Sequence, residues 1–120
     1  MAVLVPLNTF RTITAQLTTE SNVLYTTPEE IATILLTAQV TNVSNSYANV
    51  TFFHRSNILV GGSRVITDTE LVKEFEIPKN DAAAVTVGKI VLEENQAIVA
   101  KAGANNTLKI TLSLLETSLI

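Results

Sequence analysis

The sequence predicts an all-β protein, an antiparallel β-sandwich of about eight strands in an immunoglobulin-like or jelly-roll arrangement. Three observations predict it. Apolar and polar residues alternate through Asn49–Ser56, Glu70–Ile77 and Thr107–Leu114, the spacing that turns one side of a strand to a core and the other to water. Turn chemistry separates such runs: Pro78 followed by Lys79-Asn80-Asp81, the Asn- and Ser-rich stretch 42–47, Glu93-Glu94-Asn95 and Gly103-Ala104-Asn105-Asn106. No convincing helical period intervenes, so strand and turn simply repeat.

Taken in order, residues 1–8 form an arm broken by Pro6, and residues 9–120 form one sandwich domain. A first strand covers 9–17, with Ile13, Ala15 and Leu17 on one face. A polar turn, 18–22, leads to a short strand at 23–26. Thr27-Pro28-Glu29-Glu30 has the form of a helix start. The residues that follow contradict it, because Ala32, Ile34, Leu36, Ala38 and Val40 recur at the strand period against Thr33, Thr37, Gln39 and Thr41. A strand over 31–41 is therefore expected. Further strands are expected at 49–55, 64–77, 83–92, 96–102 and 107–116, with the longest irregular segment at 56–63. Gly61-Gly62 in that segment suits a hairpin or a loop tip.

Composition bounds the function. The 120 residues are 47% hydrophobic but only 5% aromatic, so the core must be aliphatic and Thr-rich strands must surround it. A formal charge of −3, with eight Lys and Arg scattered among eleven acids, supplies no basic face for nucleic acid. Without cysteine there is no disulfide, thiolate or Cys-based metal chemistry. Residues 1–7 are apolar but lack a basic region and are too short to span a bilayer, and residues 31–40 are interrupted by Thr33, Thr37 and Gln39. Neither a membrane nor an export signal is expected.

No catalytic or metal site is expected, and no cofactor. His54 is the single histidine and reads as a structural residue at a strand rim. Asp68 with Glu70, and Glu74 with Glu76, share strand faces where carboxylates can hold a cation, but a solvated or edge-protecting role fits them better. Three Asn-X-Ser/Thr triplets, starting at Asn42, Asn49 and Asn105, are expected from an Asn- and Thr-rich composition alone.

Apolar residues where water should be are more telling. Ile58-Leu59-Val60 sits at an expected loop tip, Val3-Leu4-Val5 lies in the arm, and the sequence ends on Leu119-Ile120. Exposed apolar clusters of this kind mark contact with other chains. These eight residues are the candidate interaction residues.

The sequence also resembles the small virion structural proteins of tailed bacteriophages, particularly myovirus-type phages of cyanobacteria. The stretches carrying the likeness are Phe10–Leu17 with 23–28, Ala38–Val43, Thr51–Arg55, Glu70–Pro78 through Asn80-Asp81-Ala82, Gly88-Lys89 and Val91-Leu92-Glu93, and Leu108–Ser113 with Leu115-Glu116. The resemblance implies a non-enzymatic subunit in the virion, made in the host cytoplasm, that decorates or cements a head shell as a homo-oligomer. Its partners would be other virion structural proteins such as the major capsid or tail protein. A tail, neck or baseplate position is the alternative. A carbohydrate-binding module is the alternative of another class, and an exposed Tyr25–Tyr47 pair would favour it.

Overall fold

A computed structural model describes residues 8–86 and 88–119, so Val3, Leu4, Val5 and Ile120 lie outside the described residues. Nine strands run in order: β1 Asn8–Gln16, β2 Asn22–Thr26, β3 Ile31–Asn42, β4 Ala48–Val60, β5 Ser63–Ile77, β6 Ala82–Ala84, β7 Ile90–Leu92, β8 Ala97–Ala102 and β9 Leu108–Ser118. They form two antiparallel sheets. One has the order β1-β9-β3-β6, with β7 also on β3; the other has the order β2-β8-β4-β5. Successive strands cross between the sheets except at β4–β5 and β6–β7. Of the two expected arrangements this is the jelly roll, since an immunoglobulin-like sandwich would keep early neighbours in one sheet.

The core is aliphatic, as the composition requires. Leu108, Ile110, Leu112 and Leu114 of β9 are buried and alternate with exposed Lys109 and Thr111. They face Val50, Phe52, Ile98 and Ala100 of the opposite sheet, within one buried cluster. Strand β8, at the middle of its sheet, is buried on both faces from Ala97 to Ala100 and uses small and β-branched side chains to fit there.

Three details depart from the sequence reading. The strand β3 forms where expected, yet its inward face is Thr33 and Leu35, then Ala38, Val40 and Asn42. A bulge explains this: Leu35 pairs with Leu114 and Thr37 with Ser113, so Leu36 is an extra residue that flips the phase of everything before it. The single strand expected at 83–92 is two short ones, β6 and β7, each laid on a different part of β3. Between them Val85 turns inward and donates its N–H to Ala38 O. Finally, residues 56–60 are not irregular; they continue β4.

Candidate interaction site

The β4–β5 hairpin is longer than the sheet that holds it. Pairing of β4 with β8 stops at Arg55–Ala97, whereas β4 and β5 remain paired from Ser56–Thr67 out to Val60–Ser63. Beyond Arg55 the chain is therefore a two-stranded ribbon with no third strand among the described residues. Gly61 and Gly62 close it with φ of 56° and 82°, the two left-handed residues that a type I′ hairpin turn requires.

Register decides what each face of the ribbon shows. Ile58 lies opposite Val65 on one face; Leu59–Arg64 and Asn57–Ile66 lie on the other. Ile58, Leu59, Val60, Val65 and Ile66 are each between 46% and 59% exposed. The sequence reading located the first three and missed Val65 and Ile66, which looked like ordinary members of a sheet strand. The signal for them was Gly61-Gly62: if it closes a hairpin, the residues facing Ile58 and Asn57 follow from counting.

Arg55 locks the ribbon's base. Its Nε donates to Asp68 Oδ1 at 2.8 Å and its Nη2 to Oδ2 at 3.0 Å. These hydrogen bonds hold the Asp68 carboxyl below the usual carboxylate range and raise the guanidinium in turn. Both Asp68 oxygens are thus committed to Arg55 rather than to a cation with Glu70. Neighbouring His54 faces the other way along the strand; its Nε2 lies 3.1 Å from Gln96 Oε1, which also accepts the Glu93 N–H. His54 and Asp68 do not converge.

The end of the sandwich from which the ribbon leaves is tied together by polar bonds. Thr27 N–H donates to Gln96 O, Asn95 N–H to Thr27 O, and Leu119 N–H to Glu30 O. Just inside, Tyr25 of one sheet donates its hydroxyl to Glu116 of the other and receives one from Thr33 at 2.8 Å. Burial, then the bond to Glu116, pushes the Tyr25 phenol up to about 12. Arg11 lies 3.7 Å from the other Glu116 oxygen. At this same end the chain enters β1 at Asn8 and leaves β9 at Ser118. Leu119, 56% exposed, therefore lies at the ribbon's end of the molecule, beside Ala32, Glu93 and Glu94. A Tyr platform for sugar does not form, because Tyr25 is buried and only Tyr47 is exposed.

No family model matches this sequence, and no curated protein does. Among solved structures it is similar to a chain from Bacillus endospore appendages, described as a novel family of disulfide-linked pili. The similarity has a TM-score of 0.55 at 12% identity and covers 94% of this chain and 88% of that one. At that identity the likeness concerns the β-sandwich fold.

Proposed function

We propose that this protein is a non-enzymatic structural subunit of a virion, decorating or cementing the capsid, and that the β4–β5 ribbon is its attachment element. The observation carrying this reading is the ribbon itself: five aliphatic side chains held out on both faces of a hairpin that no third strand supports among the described residues. An isolated two-stranded ribbon is marginal in water, so such a device makes sense when a partner covers it. Burying three of these side chains contributes roughly 4–8 kcal/mol before ordering costs, and many copies on one particle would turn that into firm attachment. Jelly rolls recur in viral capsid domains, an analogy of fold that agrees with the reading without carrying it. The separation of His54 from Asp68 supports a non-enzymatic role.

The likeness to a pilus subunit favours a second reading, a polymer built from many copies. With no cysteine, any such polymer of this chain would be held without disulfides.

Replacing Ile58, Leu59 and Val60 together with Ser separates these ideas from an unrelated role. The variant should keep the wild-type circular dichroism and urea midpoint while losing binding to purified capsids lacking the wild-type protein. Binding to tails instead of heads would relocate the subunit. Full occupancy by the variant would remove the ribbon from its assigned role.

A further inference from the structure

We infer that β1 is a second, independent assembly surface, and that its occupant is β1 of another copy of this chain, paired antiparallel about a two-fold axis. The inference begins with the sheet edges. Strand β5 carries register shifts opposite Val50–Phe53, with Glu74 at φ 50°; such bulges protect an edge from pairing. Strand β2 has only five residues and a shift at Leu24, while β6 and β7 have three residues each. Strand β1 has nine, in unbroken register with β9 from Asn8–Thr117 to Gln16–Lys109. It contains no Pro, Gly or Lys, and no described strand pairs with its outer side.

The direction of its free groups follows from one bond. Leu17 N–H donates to Leu108 O, so odd-numbered residues face β9, and Asn8, Phe10, Thr12, Thr14 and Gln16 turn both backbone groups outward. The side chains of those five residues are exposed, Phe10 by 76%.

The edge is complementary to itself. One antiparallel register pairs all nine residues: Thr12 with Thr12, Phe10 with Thr14, and Asn8 with Gln16 of the second copy. These three outward pairs are each of a favourable kind, hydroxyl with hydroxyl, aromatic with β-branched, amide with amide. Charge agrees, because the strand's one charged residue, Arg11, already lies against Glu116. A second copy therefore meets a neutral edge. By contrast, the open edge of β5 carries Arg64, Asp68 and Glu70. The contact is about 30 Å long and small for a permanent dimer, so dimerisation should depend on concentration. Antiparallel pairing also points the two ribbons in opposite directions, making the dimer a two-ended connector.

Sedimentation velocity over a range of concentrations should show a monomer–dimer equilibrium for the wild type. Thr12→Pro deletes an outward N–H that no bond among the described residues uses, and should weaken the dimer by about tenfold or more with an unchanged circular dichroism spectrum. Thr12→Cys, the sole thiol in the molecule, should form a disulfide-linked dimer on mild oxidation, since facing Cα atoms lie within disulfide range. Thr9→Cys should not. If Thr12→Pro fails to fold, this cysteine pair decides the matter. A wild type that stays monomeric at its highest soluble concentration overturns the proposal, as does equal cross-linking at both positions. So does a dimer indifferent to Thr12→Pro but abolished by Ser at Ile58, Leu59 and Val60, an outcome that would leave the ribbon reading intact.

Discussion

Thr27 is fully buried, and its hydroxyl has no hydrogen-bond partner among the described residues although its backbone N–H and C=O are both satisfied. A buried unpaired hydroxyl costs stability that an isosteric apolar side chain does not. Thr27→Val should therefore raise the unfolding free energy by about 1 kcal/mol, read from the urea midpoint. In the sequence Thr27-Pro28-Glu29-Glu30 looks like a helix cap; in the fold Glu30 takes φ 63° and turns the chain into β3. Tyr25 allows a test of opposite sense. Its phenol is held protonated by burial and by Glu116, with its folded value raised to about 12. That stabilisation is complete below the unfolded value near 10 and is lost as pH rises from about 10 toward 12. Tyr25→Phe should cost about 1–3 kcal/mol at neutral pH and flatten the alkaline decline of stability. Nothing in the sequence marks Tyr25 and Glu116 as partners, because their separation of 91 positions is spanned only when the two sheets face each other.

At the scale of elements, most strands were legible because burial on one face imposes period two, and β9 displays that pattern almost without fault. Two departures share a cause. Leu36 in β3 and the shifts along β5 are bulges, and a bulge breaks the period that would reveal it. The ribbon was hidden differently: its residues are apolar on both faces, so no face is singled out. Its dependence on the Arg55–Asp68 pair is testable. Because the Asp68 carboxyl is depressed, its contribution is present above the unfolded value near 4 and disappears as pH falls through the folded one. Amide exchange of residues 56–67, corrected for its intrinsic pH dependence, should show opening increase below about pH 4, while the sandwich stays protected. Asp68→Asn should open the ribbon at neutral pH and remove that acid dependence. Gly62→Val should also unfold the tip, since φ 82° is costly for a β-branched residue, whereas Gly61→Asn should be tolerated.

For the whole molecule, principal extents of 56 × 37 × 22 Å describe a thin two-sheet body. The two surfaces proposed for assembly differ in kind. The ribbon offers apolar side chains at one end; β1 offers backbone hydrogen bonds along one side. Combining Thr12→Pro with Ser at Ile58, Leu59 and Val60 should produce a monomer that no longer binds capsids, with losses that add because the sites share no partner. Light scattering and capsid co-sedimentation read the two losses separately. The sequence by itself determined the all-β class, the aliphatic core, nearly every strand, and the apolar triplet at 58–60, because each follows from local alternation and turn chemistry. Only the tertiary structure decided that the sandwich is a jelly roll, that Val65 and Ile66 join the triplet on a two-stranded ribbon, that Tyr25 closes on Glu116, and that no described strand covers the outer side of β1. Those properties depend on which strands become neighbours and where pairing stops, and neither is written into the pattern of any single strand.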